Sequence, residues 1–489
     1  MTDPENLEST EPMELRFTEP SETHPEKYRE AAAAARTATA SAELEPPAAP
    51  PDEPEDEQSL DSRYYYDSER KEYLVKNRRG VWQALSESQF KRLLRSEGFC
   101  TRAYGGSLIS PVDKVILSIQ NHHDIQYAGR LCGRKEGFYT FGQKRLLVTE
   151  SFILPEPSNG DWPMLNAVIS GLLGSDPLHG KTQVEVFHGW MKLAQAALRA
   201  ERIQPAQAIA FAGPAKCGKS LLQSLITDML GGRAAKPYLF MTGATPFNGE
   251  LFTAEHLMME DEFMSRRISD RLKLGASLKN FCVSTRTQSC HCKNRQAITL
   301  PAWWRVSISL NDDPEALLVL PPLDDHIADK LILLKATPFT FPCPMGNADD
   351  QDKFMNECRR EIPGYLHWLL HEYAIPEELA EPQRYGVVSW HHPEIADALN
   401  NLSPEADLLA LVDESLWHSG QKSWRGTSEE LQRLLLQDGS TASQARKLLD
   451  WRNACGTYLG RLAAKPEPRV EIARSATRRD FIVHAPPAA

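Results

Sequence analysis

Several things are missing from this 489-residue sequence, and each absence closes off a class of protein. No cysteine pair has the C-x-x-C spacing, and the nine cysteines are scattered and odd in number. That argues against a secreted disulfide framework and for a reducing, cytoplasmic setting. The tight run Cys290-His291-Cys292 has no second ligand pair near it, so a zinc knuckle is not expected there. No apolar run approaches the roughly 20 residues that cross a bilayer. The N-terminus lacks the apolar core of a signal peptide, so no membrane partner is expected. There are no internal repeats.

What is present points to two or three domains with real cores, since 41% of the residues are apolar. The formal charge of −11 is unevenly spread. Residues 1–62 hold 17 acidic and 4 basic side chains, a net of −13, which leaves +2 for the rest. The global charge therefore says little about what the folded part binds. Residues 1–62 are rich in Glu, Pro, Ala, Thr and Ser. Such a segment cannot bury enough surface to offset its ordering entropy, and a disordered acidic tail is expected.

From residue 63 the texture changes. YYYDSERKEYLVKN and RRGVWQALS read as hairpin strands. SESQFKRLLRSEGF reads as an amphipathic helix capped by Ser86 or Ser88. A second helix is expected over 112–122, and GFYTFGQKRLLVTESFILP reads as strands. Together these make a small mixed α/β domain over 63–180. Residues 183–200 have a helical apolar face. Residues 181–345 alternate strand and helix signals, as an α/β nucleotide-binding core should. Residues 350–400 look helical, giving a lid or connector over 346–403.

The sharpest signal is GPAKCGKS at 213–220. It follows the apolar run QAIAFA and precedes LLQSLITDML, whose Leu221, Leu222, Leu225 and Met229 recur at helical spacing. Strand, glycine-bounded loop and helix is the setting of a phosphate-binding loop. Gly213 and Gly218 let the backbone curl, so that N–H groups of Pro214's neighbours Ala215, Lys216 and Cys217 can face phosphate oxygens. The helix start adds its dipole. Lys219 is expected to reach the β- and γ-phosphates of ATP, and Ser220 to ligate Mg²⁺. Cys217 sits near a helix start and two lysines, which favours thiolate, so thiol alkylation is expected to reduce turnover. The other reading is that it only fills a small position.

Hydrolysis needs carboxylates as well. HLMMEDEF at 256–263 reads as a buried strand ending in three of them. Asp261 is assigned to Mg²⁺ and Glu262 to the general base, with Glu260/Asp261 as the competing register. Carboxylates this crowded repel unless a cation is present. Residues 306–310 make a further strand ending in Asn311, which can hold the attacking water or contact the γ-phosphate. An Asx turn before Asp312-Asp313-Pro314 is the alternative.

These motifs together resemble a superfamily 3 helicase of the AAA+ class, and more narrowly the helicase module of phage, plasmid and poxvirus-type primase-helicases. The loop, the acidic strand and the Asn strand fall within 98 positions, from Gly213 to Asn311. The block PAWWRVSISLNDDPEALLVLPPLDDHIADKLILLKA is similar to the family's Asn strand and the Leu-Pro-Pro segment after it. The resemblance is firm over about 205–340 and looser on either side. It implies a hexamer with ATP between subunits, and a hairpin that grips single-stranded or forked DNA. CHCKNRQAITL at 290–300 occupies the hairpin's place, with His291, Lys293 and Arg295 as phosphate contacts. An ordinary charged turn is the other reading. The resemblance also implies a basic finger from a neighbouring subunit, for which Lys330, Arg266, Arg267 and Arg271 all remain open. No primase catalytic domain is evident, so a separate primase or replication protein is a possible partner.

Residues 404–489 read as a winged-helix-like domain: a capped helix over 427–438, helices near 441–450 and 454–464, and a hairpin in RVEIARSATRRDFIVH. Arg461, Lys465, Arg474, Arg478 and Arg479 are its candidate DNA contacts. The expectation is thus a P-loop NTPase core of AAA+ type between a small mixed domain and a winged-helix-like domain, acting as a DNA helicase or translocase in phage, prophage or plasmid replication. A partner-remodelling ATPase that unwinds nothing is the rival.

Overall fold

The structure, a computed structural model, describes residues 63–489 except 104–105, 107, 261–267, 284–286, 325, 418–420, 465–467, 475–477 and 487–489. The acidic tail expected over 1–62 lies outside the described residues.

The chain opens with an antiparallel meander, β1 (Tyr64–Asp67), β2 (Glu72–Lys76) and β3 (Trp82–Leu85). Helix α1 (Glu87–Ser96) follows, started by a complete capping box between Ser86 and Gln89. Helix α2 (Pro111–His122) leads to β4 (Asp124–Ile125), which joins the meander parallel to β1. A second sheet has the order β5-β7-β6, from β5 (Tyr127–Gly129), β6 (Gly137–Phe141) and β7 (Lys144–Val148). The strand reading of 137–155 therefore holds only as far as Val148. Beyond it Pro155 and Pro157 have no N–H to give a ladder.

Helices α3 (Pro163–Leu173) and α4 (Gly180–Arg199) lie against the central sheet. That sheet contains β8 (Ala208–Ala212), β9 (Ala234–Ala235), β10 (His256–Met259), β13 (Arg305–Leu310) and β14 (Leu331–Lys335). All five run parallel, in the order β14-β8-β13-β10-β9. β8 is buried along its whole length, as a strand covered on both faces must be. Its alternation divides the core: Ile209 and Phe211 face one layer with Trp190, Leu222 and Tyr365, while Ala208, Ala210 and Ala212 face the other with Leu257, Leu278 and Leu333. Helix α5 (Lys219–Met229) packs on the first layer and α6 (Ile268–Val283) on the second. Between β10 and β13 stands an antiparallel hairpin, β11 (Thr287–Cys290) and β12 (Ile298–Pro301).

Leu165 and Leu172 of α3 share a core with α4, and Leu131 of the loop after β5 joins Leu146 and Val148 of β7 in the second layer. The described residues from 63 onward form one compact unit.

Helix α7 (Ala348–His367) begins the stretch expected to be helical and runs on as a π-helical turn to Glu372, but after a single 3₁₀ turn at Glu377–Leu379 α-helix does not resume until α8 (Pro393–Asn401). Between them Pro376 and Pro382 interrupt the helical ladder, and two-residue strands β15 (Ala380–Glu381) and β16 (Gly386–Val387) pair, with Gly386 at φ 87°. The C-terminal part has α9 (Pro404–Leu416), α10 (Ser428–Gln437), α11 (Ala442–Leu448) and α12 (Ala454–Ala463) around Leu431, Leu459 and Phe481. Its hairpin, β18 (Val470–Arg474) and β19 (Arg479–His484), gains a third strand that sequence reading did not anticipate, β17 (Ser423–Gly426). Thr427 and Glu430 form the capping box of α10.

Candidate nucleotide-binding site

β8 ends at Ala212 and the chain turns over the sheet's C-terminal edge. A Cβ on Gly213 would lie 2.1 Å from the Ala336 carbonyl oxygen, so only glycine fits there. Lys216 (φ 63°) and Gly218 (φ 110°) both take left-handed backbone, which curls the loop. Gly218 is the N-cap of α5 and supplies no side-chain cap, so the first N–H groups of the helix stay available to a ligand. Ser220 is exposed in that first turn, as is Ala215 in the loop, with Pro214 half-buried.

Lys219 is buried, at 8% exposure. Its ammonium donates to the carbonyls of Gly213 and Pro214, each at 2.7 Å, and to Asn311 Oδ1 at 3.3 Å. Asn311 follows β13, which pairs with β8, so the two candidate residues meet because their strands are neighbours. Glu260 stands at the end of β10 on the same edge, where it pairs with Lys236 at 3.1 Å. Asp261 and Glu262 lie outside the described residues.

Cys217 departs from expectation. It is 3% exposed and joins the cluster that holds Leu172 and Leu222, with Sγ 3.8 Å from the Lys219 ammonium. The structure supports the space-filling reading, because an alkylator cannot reach a thiol packed in the core without opening it.

Sequence reading missed the polar layer beneath the loop. Gln223 of α5 donates to Ser307 Oγ (2.8 Å) and the Met259 carbonyl (3.2 Å). His256 shares hydrogen bonds with Thr227 Oγ1 and Ser307 Oγ, each at 2.7 Å. Burial pushes the His256 imidazole down to about 3, so it sits neutral between the two hydroxyls. These bonds tie α5, β10 and β13 together under the loop. The available signal was the presence of polar residues in strands that otherwise read as buried.

On the hairpin, Lys293 and Arg295 are exposed in the turn between β11 and β12. His291 is held more firmly. Its N–H donates to Asn248 Oδ1 (2.6 Å), its carbonyl accepts from the Asn248 N–H (3.0 Å), and its ring lies 5.3 Å from that of Phe247. The sulfurs of Cys290 and Cys292 are 3.8 Å apart. Among the described residues no three His, Cys, Asp or Glu side chains form a metal-ligating group.

Two of the finger candidates turn inward. Lys330 is 6% exposed and paired with Asp329, and Arg271 is buried with Nε donating to the Leu320 carbonyl at 2.8 Å. Arg266 and Arg267 lie outside the described residues.

In the C-terminal part, Arg461, Arg478 and Arg479 line a cleft of about 790 Å³ between α10, α12 and the sheet. Arg461 pairs with Glu405 at 2.9 Å, and Arg478 with Glu430 at 2.6 Å and Asp480 at 2.5 Å. The Arg479 guanidinium lies over Phe481, 5.0 Å from the ring centre. Arg474 is paired opposite Arg479 in the β18–β19 ladder, and Lys465 lies outside the described residues.

No family model matches the chain, and no curated protein matches it. Among solved structures, the A form apo structure of the NrS-1 C-terminal region aligns over 86% of this chain and 96% of its own, at 10% identity and a TM-score of 0.48. A second apo structure of that region, spanning 305–718, aligns over 86% and 95%, at 11% identity and a TM-score of 0.48.

Proposed function

We propose that this protein hydrolyses ATP with Mg²⁺ to drive movement along DNA, as a helicase or translocase with an AAA+ type P-loop core, working as a homo-hexamer in phage, prophage or plasmid replication. The observation that carries the reading is the placement of Lys219. A buried ammonium is held at the mouth of a left-handed, glycine-bounded loop, against Asn311 from the adjacent parallel strand. A nucleotide bound at the C-terminal edge of a parallel sheet is what this topology accommodates best.

In this reading the Lys219 ammonium exchanges the Gly213 and Pro214 carbonyls for phosphate oxygens. The loop N–H groups and the α5 terminus hold the remaining phosphate charge. Ser220 and Asp261 are the residues that would hold Mg²⁺, which when bound neutralises charge on the phosphate oxygens. Glu262 takes the proton of the attacking water, and Asn311 orients that water or the γ-phosphate. The salt bridge to Lys236 engages Glu260 elsewhere, which favours the Asp261/Glu262 register over Glu260/Asp261. Exposed cations on the hairpin supply sequence-independent contact with a phosphodiester strand.

The deciding experiment is ATP hydrolysis with and without single-stranded DNA, at low and high salt, on wild type and Lys219→Ala. DNA stimulation that falls with salt and vanishes in the variant supports the motor. Robust turnover indifferent to DNA overturns it in favour of an ATPase that remodels a protein partner.

A further inference from the structure

Beside the phosphate loop runs a short extended segment. It follows β14 and reads Thr337-Pro-Phe-Thr-Phe-Pro-Cys-Pro-Met345. Pro338, Pro342 and Pro344 fix φ and favour extended chain at and before themselves. In extended chain alternate residues share a face. Accordingly Phe339, Phe341, Cys343 and Met345 are half-buried against the core, while the residues between them are exposed. Thr337 anchors the start of the strip, its N–H donating to the Leu172 carbonyl at 2.9 Å and its hydroxyl to the same oxygen at 3.2 Å.

The strip brings two aromatic rings to the loop. The Phe339 and Phe341 ring centres are 4.5 Å apart, and Phe341 meets Phe354 of α7 edge-on at 5.6 Å. Phe339 packs on Gly171 of α3, where an added Cβ would come within 2.6 Å of the ring. Both rings converge on Gly218. The position of a Cβ there is 3.3 Å from Phe339, 3.8 Å from Leu172 and 3.9 Å from Phe341. Having no side chain, Gly218 leaves the rings in direct contact with the turn that starts α5, yet neither ring is fully buried.

We propose that Phe339 and Phe341 form the shelf on which the nucleobase of the bound triphosphate rests. The inference rests on the triphosphate reading of the loop and adds a statement about specificity. A base attached to phosphates in the 213–220 loop has an aromatic surface within reach at Gly218. Stacking on phenyl rings tolerates any base, because every base has a π face, and it grows with the area covered. Leu172 and Phe354, which meet the rings, offer no hydrogen bond to a base edge. The shelf therefore selects purine over pyrimidine and separates adenine from guanine weakly.

The test is isothermal titration calorimetry on the full chain in Mg²⁺, with non-hydrolysable analogues of ATP, GTP and CTP and with inorganic tripolyphosphate. Wild type is expected to bind the two purine analogues within a few-fold of each other and about tenfold tighter than the CTP analogue. Phe339→Ala and Phe341→Ala are each expected to lose about tenfold for the ATP analogue and to bind tripolyphosphate as wild type does. Phe341→Leu keeps an apolar contact with Phe354 and is expected to show the same selective loss, so the test survives if an alanine variant fails to fold. Variants that bind the ATP analogue normally, or that lose tripolyphosphate equally, overturn the shelf. So does a wild type that binds tripolyphosphate as tightly as nucleotide. A wild type that binds neither ligand overturns the phosphate-loop reading itself, and the shelf with it.

Discussion

The sheet edge and the hairpin hold their cations in opposite ways. Lys219 is buried and its ammonium is oriented by two carbonyls and an amide oxygen. Lys293 and Arg295 stand in solvent and take part in no ion pair among the described residues. A buried charge already held at the loop has only to exchange carbonyl partners for phosphate oxygens, a small rearrangement in a site poor in water, so it suits chemistry. An exposed, mobile charge releases counterions on meeting a phosphodiester strand, so it suits sequence-independent, salt-sensitive grip. The C-terminal arginines are a third case. Arg461 and Arg478 already have carboxylate partners, and a phosphate would only replace one anion with another.

The largest effect expected from this contrast is on the buried lysine. Lys219→Ala should lower ATP turnover by about a hundredfold or more, as loss of a pre-oriented charge at the reacting phosphate does, measured as steady-state phosphate release. Lys293→Ala and Arg295→Ala should leave basal turnover intact and remove its stimulation by DNA. Each should also make the slope of log affinity against log salt shallower by about 0.7 for single strands. Normal strand displacement by Lys293→Ala would show that the hairpin is not the gripping element. Arg461→Ala should weaken DNA binding less than either hairpin variant. It should cost about 1–3 kcal/mol in a denaturant melt, because it removes the salt-bridge partner of the buried Glu405 carboxylate, while solvent screens the half-exposed Arg461 end.

Acid should act through buried histidines rather than through these cations. Burial holds His256 at about 3 and His188 at about 4, against an ordinary 6.5. Below that ordinary value the unfolded chain takes up protons that the fold excludes. Stability should therefore fall as pH drops from about 6.5 toward 3, and His256→Gln should flatten that fall in thermal melts at stepped pH. The smallest effect belongs to Cys217. An alkylating reagent should modify the exposed Cys100 well before it lowers ATP turnover, read by mass spectrometry alongside activity. Rapid inactivation that Cys217→Ala resists would mean that the loop opens readily.

What could be read from the sequence was local. The loop with its flanking strand and helix is contiguous, and both capping boxes, Ser86 with Gln89 and Thr427 with Glu430, lie within one helical turn. β17 was not legible, because four residues carry too little alternation, and Ser423–Gly426 becomes a strand by pairing with β19. The helical reading of 350–400 failed where Pro376 and Pro382 outweigh the apolar pattern. The His256–Ser307 contact joins residues 51 apart, a separation that no periodicity reaches.

The sequence by itself determined where the short motifs lie, the loop at 213–220 between strand and helix, Glu260 at the end of one strand and Asn311 after another, because the backbone preference of each is set by its own residues. Tertiary structure alone decided how they meet and how they are held. The parallel order β14-β8-β13-β10-β9 puts Asn311 against Lys219, brings Ala336 against Gly213, and carries the Phe339–Phe341 strip to Gly218. It also buries Cys217. The physical reason is that burial, hydrogen-bond satisfaction and ring contact depend on what packs from distant parts of the chain, which local propensity does not encode.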